Sequence, residues 1–166
     1  MLIVADKPGK LSFPQFLEVY AQESRKAGAE GYPEEPEDRQ LQLAEEDFRR
    51  YLTEVFFRTP GACCAVWEAE GRYVSGLRLE PYREGLLLEG LVTHPGARRK
   101  GYASALVKAV QALPGVTTLY SHVDKDNRPS LALHEALGFQ IISRQARFID
   151  GSVTSHALTL RWNRPE

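Results

Sequence analysis

The chain is poor in sulfur and has no long apolar run. It holds 2 cysteines and 1 methionine among 166 residues. The cysteines, Cys63 and Cys64, are adjacent. Neighbours on an extended strand point to opposite faces and do not normally bridge. Buried free thiols are therefore expected, and a reducing cytoplasm fits them. No stretch approaches the ~18–20 apolar residues that span a membrane, and the first residues carry no signal-peptide pattern. Charge of one sign is lacking as well: 21 basic residues face 22 acidic ones, for a net charge of -1. No global basic field exists to hold nucleic acid, which leaves small molecules or proteins as partners. No cluster of His, Cys, Asp and Glu has metal-ligand spacing, and no nucleophile–histidine pair is evident. Neither a metal nor covalent catalysis is expected. Two familiar phosphate loops are missing too. The G-x-G-x-x-G fingerprint is absent, and Lys100 precedes its glycine, the reverse of the Walker order.

What is present reads as one domain over residues 1–166. Leu2-Ile3-Val4 is a short strand. Ser12 with Gln15 resembles a capping box, and Phe13, Phe16, Leu17 and Tyr20 follow helical spacing until Gly28 and Gly31. Tyr32 to Asp38 is an exposed, acidic loop. A second helix places Leu41, Ala44, Phe48, Leu52 and Val55 on one face and stops at Thr59-Pro60-Gly61. Ala62 to Ala69, Tyr73 to Leu79 and Leu86 to Val92 then form an antiparallel meander. Its separators are Glu70 to Arg72 and Glu80 to Gly85. A helix from Ala103 to Leu113, a strand from Thr117 to Val123 and a helix from Asn127 to Leu137 follow. Phe139 to Phe148 and Val153 to Trp162 close the chain as two strands around Asp150-Gly151. The fold class is mixed α/β, of the α+β type.

The joint between the third meander strand and the next helix is basic and contains two glycines: Thr93-His94-Pro95-Gly96-Ala97-Arg98-Arg99-Lys100-Gly101-Tyr102-Ala103. Such a joint turns backbone N–H groups toward one point, where the helix dipole adds positive potential. A phosphate or pyrophosphate is the natural guest.

Arg98-x-x-Gly101-x-Ala103, preceded by Val92-Thr93-His94-Pro95, resembles motif A of the GNAT superfamily of N-acetyltransferases. Asn127 followed by Leu133-His134-Glu135-Ala136-Leu137-Gly138-Phe139 is similar to that family's N…L-Y-E-K-L-G-F segment. The two motifs stand in the expected order, and the element order matches over essentially the whole chain. The resemblance implies a mostly antiparallel sheet of about seven strands flanked by four helices, splayed between its fourth and fifth strands. It implies acetyl-CoA as co-substrate, with the loop from Arg98 through Arg99, Lys100, Gly101, Tyr102 and Ala103 to Ser104 around the pyrophosphate. Pantetheine would lie along Leu91, Val92 and Thr93, the Val92 N–H would polarise the thioester carbonyl, and Asn127 would hold the CoA arm.

Glu89 is the candidate base. It is a charge inside an apolar strand, six residues before the motif proline, where family members with a glutamate base often carry it. Burial beside leucines should raise its pKa. His134 stands where many relatives have a tyrosine acting as general acid, a departure from the family pattern. His122, His94, Glu68, Glu70 and Arg78 are weaker candidates. Glu30, Glu34, Glu35, Glu37 and Asp38, with Tyr32, could wall the acceptor site and attract a cation. The reading is a monomeric or homodimeric enzyme acetylating a small-molecule or peptide amine by direct attack. The alternative is a catalytically silent acetyl-CoA sensor or interaction module.

Overall fold

Alternating apolar residues form two-faced strands, and those two faces dictate the layers. The computed structural model describes residues 1–166. In chain order it contains β1 (Leu2–Ala5), α1 (Phe13–Val19), α2 (Ala21–Gly31), α3 (Glu37–Glu54), β2 (Cys63–Ala69), β3 (Arg72–Tyr82) and β4 (Gly85–Thr93). Next come α4 (Tyr102–Gln111), β5 (Thr118–Asp124), α5 (Arg128–Ala136), β6 (Gln140–Ser143), β7 (Ala146–Arg147), β8 (Val153–Thr154) and β9 (Ala157–Asn163). One sheet of 7 strands runs in the order β1-β2-β3-β4-β5-β9-β6, and β7 pairs with β8 apart from it. All neighbours in the large sheet are antiparallel except β4 and β5.

Each face carries its own core. Ala65, Leu77, Leu79, Leu88 and Leu119 pack against Leu106, Val107 and Val110 of α4, with Leu131 and Leu133 of α5 at the margin. On the other face Cys64, Val66 and Tyr73 pack against Phe13, Phe16 and Val19 of α1 and Leu52 of α3. The thiols are free, and burial pushes Cys64 up to about 12 and raises Cys63 as well. No helix is long and apolar enough to cross a membrane.

The structure departs from the sequence reading in three places. The first expected helix breaks at Tyr20 (φ −96°, ψ 10°) into α1 and α2, so five helices flank the sheet rather than four. One straight helix could not pack on β3 and then turn onto α3, as α1 and α2 do. The capping box is not made: Ser12 has no side-chain cap, and Gln15 Oε1 instead accepts from the Tyr73 N–H at 2.9 Å. Second, β3 continues through Glu80 to Tyr82, leaving Arg83-Glu84 as the turn. Third, the two closing strands are each interrupted. The Thr159 hydroxyl captures the Gln145 carbonyl at 2.7 Å, and the chain then restarts as the small β7–β8 ladder.

Two features open the sheet at its centre. The parallel β4–β5 pairing covers only Leu86–Leu119, Leu87–Tyr120 and Leu88–Ser121. Immediately beyond it, β4 carries one residue more than β3: Arg78 faces Glu89, yet Gly76 faces Val92. This is a β-bulge at Gly90, whose φ of 61° suits glycine. The bulge exchanges faces, so Leu91 packs on the α4 side and Val92 on the α1–α3 side. Tyr20 pins it, its buried hydroxyl donating to the Gly90 carbonyl at 2.6 Å.

Tyr20→Phe keeps the ring and removes only that hydrogen bond. It should cost about 1 kcal/mol, which lowers the thermal midpoint by roughly 2–4 °C in a chain of this size. An unchanged midpoint in a calorimetric scan would show that the bulge holds without the phenol.

Candidate active site

Past Leu88 and Ser121 the two strands part, and a cavity of about 290 Å³ opens between them. Its walls include Glu89, Gly90 and Leu91 of β4, Ser121, His122, Val123 and Asp124 of β5, and Asn127, Ser130 and His134 at the start of α5. The strand edges around it are not paired with each other. His94 N–H donates to the Val74 carbonyl at 2.8 Å, and residues two apart in an antiparallel ladder face the same neighbour. The Val92 amide therefore faces β3, whereas the backbone groups of Leu91 and Thr93 face the gap. This corrects the sequence expectation that the Val92 N–H would point at a ligand there. The Val92 carbonyl is also engaged, accepting from the Ser75 hydroxyl at 2.9 Å.

Glu89 lies at the apex of the gap, on the face covered by α1–α3. Its register partner is Arg78, and Glu80 lies two residues along β3 on the same face. Burial and the neighbouring Glu80 carboxyl push Glu89 up to about 8; the Arg78 guanidinium opposes this but does not prevail. Arg78 forms no salt bridge to compensate. Its guanidinium lies 5.6 Å from the Phe48 ring centroid and 6.0 Å from that of Phe56, with its Nε unpartnered. Two acids crowded in a poorly hydrated site hold a proton tightly. Sequence reading assigned Glu80 to a turn, and so missed this partner. The cue was the pair of acids separated by a hairpin, but only the register of β3 and β4 brings them together.

His134 is buried, and both its ring nitrogens are engaged. Nδ1 meets the Ser130 carbonyl at 2.7 Å, and Nε2 meets Ser121 Oγ at 2.9 Å. A carbonyl only accepts, so Nδ1 carries the proton and Nε2 accepts from the Ser121 hydroxyl. Burial pushes the imidazole's pKa down, partly offset by the bond to Ser130. The ring is neutral near pH 7 and has no free N–H to give. Asn127 caps α5, its Oδ1 accepting from Ser130 N–H at 3.2 Å, and it also borders the cavity. Among the weaker candidates, β5 register brings His122 to the gap, whereas His94 accepts from Gly96 N–H through Nδ1.

The basic joint is irregular in backbone. A short 3₁₀ turn, Pro95–Ala97, leads into an extended Arg98. Arg99 and Gly101 then take left-handed conformations, with φ of 63° and 79°, and α4 begins at Tyr102. Left-handed residues among right-handed and extended ones turn successive N–H groups inward. Arg98 is committed elsewhere, donating to Gln22 Oε1 at 2.7 Å. Arg99 and Lys100 are exposed at the loop.

A second cavity, about 540 Å³, lies between α2 and α3. Its walls include Tyr20, Tyr32, Phe48 and Tyr51 with the carboxylates of Glu23 and Asp47. None of Glu30, Glu34, Glu35, Glu37 or Asp38 is among them. Glu37 and Asp38 occupy the first turn of α3, where acids stabilise the helix dipole. The acids beside the cavity were inconspicuous in sequence because helix geometry, not proximity along the chain, groups them with aromatics.

The model of the acetyltransferase (GNAT) family matches residues 16–139. An aminoglycoside N(6')-acetyltransferase type 1 from Acinetobacter genomosp. 13 is 38% identical over 89 residues. That match spans 51% of this chain and 59% of the relative. Among solved structures, aminoglycoside 6'-acetyltransferase type Ii superposes with a TM-score of 0.64 over 100% of this chain and 98% of its own, at 16% identity. The PaiA N-acetyltransferase of Thermoplasma acidophilum, solved in complex with coenzyme A, gives 0.59 over 98% and 99%, at 12% identity. At these identities the superpositions speak to the fold alone. The family model covers most of the sequence and the shared fold covers all of it: the chain belongs to the acetyltransferase (GNAT) family.

Proposed function

We propose that the chain is an acetyl-CoA-dependent N-acetyltransferase that moves an acetyl group to a primary amine by direct attack in a ternary complex. The observation that carries this reading is the gap between β4 and β5, which ends at a half-buried carboxyl with a raised pKa. A silent acetyl-CoA sensor has no use for an acid–base group at that apex.

The residues divide the work by position. The Arg98–Ser104 loop offers its N–H groups and the α4 dipole to the pyrophosphate, with Arg99 and Lys100 adding charge. The backbone edge at Leu91 and the Thr93 N–H can pair with the pantetheine amides; the Thr93 carbonyl already accepts from Arg98 Nε at 3.4 Å. An N–H on this edge polarises the thioester carbonyl as negative charge develops on its oxygen. Asn127, at the far wall, contacts the CoA arm while capping α5. His134 holds Ser121 and the start of α5 in place.

A free alkylammonium, with a pKa near ~10, cannot attack until it loses a proton. Glu89, beside the Glu80 carboxyl, accepts that proton in its basic form. Attack of the neutral amine on the carbonyl carbon forms the C–N bond, and collapse breaks the C–S bond. A thiol with a pKa near ~8.5 leaves readily, so no strong acid is required. Every residue named lies on one chain, so a monomer or a homodimer suffices.

The acceptor approaches from the α2–α3 side. The aromatics and carboxylates there favour a cationic amine, a small molecule or a peptide amine. The aminoglycoside-acetylating relative supports the same class. The deciding experiment is acetyl-CoA consumption over polyamines, amino sugars, amino acids, aminoglycosides and peptides. CoA binding without turnover on any of them would establish the sensor instead.

The activity of the parent enzyme should rise with pH through about 8, because only deprotonated Glu89 accepts the proton. Glu89→Gln should lose about 100-fold in kcat/KM at pH 7.5 and recover toward the acceptor's own pKa near ~10. A loss of equal size at every pH would assign Glu89 to positioning instead. Gly101→Val introduces a branched side chain at a left-handed position open toward the loop. It should weaken CoA at least about tenfold by calorimetry, since phosphate contacts need close backbone approach; unchanged affinity would move the pyrophosphate away from this loop.

A further inference from the structure

Three buried side-chain atoms have no hydrogen-bond partner in the protein: Arg78 Nε, Glu89 Oε1 and His122 Nε2. Arg78 and Glu89 oppose each other across β3 and β4. His122 comes from the other side of the gap. The last β4–β5 pair is Leu88 with Ser121, so Glu89 and His122 are the first residues beyond it on their respective strands. They share a face as well. Two residues earlier, Leu87 and Tyr120 pack together with Tyr82, and the His122 ring stands edge-on to Tyr82 at 5.5 Å. Both residues line the same cavity.

The surroundings of His122 fix its ring. Tyr82 and Phe148 hold it edge-on, at 5.5 and 5.3 Å. Thr159 faces it from β9, but that hydroxyl is spent on Gln145. Arg83 is the charged group that bears on it from the β3–β4 turn, and Glu89 is the nearest acid across the gap by register. Burial and Arg83 disfavour the imidazolium, so the ring rests neutral. A neutral, rigid imidazole with a buried nitrogen lacking a partner is unsatisfied until something polar enters. His134 is the opposite case, with both nitrogens bonded inside the protein.

We propose that His122 is a catalytic proton carrier of the acetyl transfer, working across the gap from Glu89. The proposal rests on the acetyltransferase reading above and adds the fate of the second proton. Glu89 takes the first, from the incoming ammonium, and releases it to solvent. The amine nitrogen becomes positive again as its lone pair forms the C–N bond. His122 Nε2 accepts the proton this nitrogen sheds. As the C–S electron pair departs on sulfur, the imidazolium returns that proton to the thiolate. The products are the amide, the thiol and one proton in solution, and both side chains end as they began.

The test uses the full-length enzyme with the best acceptor from the amine panel, after the parent's turnover is established. Absence of turnover in the parent removes the acetyltransferase reading itself, which separates that failure from this one. His122→Phe keeps a ring between Tyr82 and Phe148 and removes both nitrogens. It should stay folded, keep the KM for acetyl-CoA, and lose about 100-fold in kcat, within the usual range for an acid–base group. His122→Ala leaves room for a free ring, so added imidazole should restore its turnover, while Glu89→Gln should not respond. A Phe variant that turns over like the parent overturns the proposal, as does a folded Ala variant that imidazole fails to rescue. If the Ala variant does not fold, the kcat of the Phe variant decides.

Discussion

The site depends on one interruption of hydrogen bonding. β4 and β5 pair over three residues and then separate. A sheet normally satisfies the N–H and C=O groups of its inner strands on both edges. Here the bulge at Gly90 turns β4 away, and the backbone of Leu91 is left facing a cavity. Such a break inside a sheet is costly unless a ligand completes it. An extended ligand bearing amide groups has the shape and polarity to do so. The helices do not create the gap; they keep it in place. Tyr20, at the joint of α1 and α2, holds the bulge from one face, and α4 fills the other.

The electrostatics follow from the same opening. Glu89 lies at the apex, too buried to hydrate freely and without a close ion pair. Arg78 is near enough to oppose the shift but leans on aromatic rings instead of gripping the carboxyl. A tight Arg–Glu bridge would have held the acid ionised and made it a poor base for an ammonium. The second carboxyl of Glu80 works the other way and favours proton uptake. The two histidines at the gap differ for a comparable reason: His134 is satisfied by Ser121 and Ser130, while His122 is packed among aromatics with a nitrogen left over.

Much of the fold was legible because it depends on local patterns. The meander from Cys63 to Thr93, the helix after Gly101 and the helix capped by Asn127 all follow from periodicity, turn residues and caps. Errors arose where distant contacts override those patterns. Gln15 serves the Tyr73 amide rather than a capping box, and Thr159 holds the Gln145 carbonyl and breaks a long strand into two. The first helix bends at Tyr20 because its halves have different packing partners. In the site, Glu89 and the loop were visible as an odd charge and a basic glycine-rich joint. Glu80 and the orientation of the Val92 amide were not, because both depend on strand register.

By itself the sequence determined the order of the main elements from β2 to α5, the two glycines of the basic joint and the presence of a carboxyl inside an apolar strand. These are consequences of side-chain type and spacing over a few residues. The tertiary structure alone decided which groups meet. It brought Glu89 beside Glu80, placed His122 rather than His94 at the gap, engaged His134 within the protein, and set Glu23 and Asp47 beside the aromatics of the α2–α3 cavity. The physical reason is that an added residue in one strand changes both register and face. A single bulge therefore decides what lines the cavity, and no local pattern in the chain specifies where two distant strands come into register.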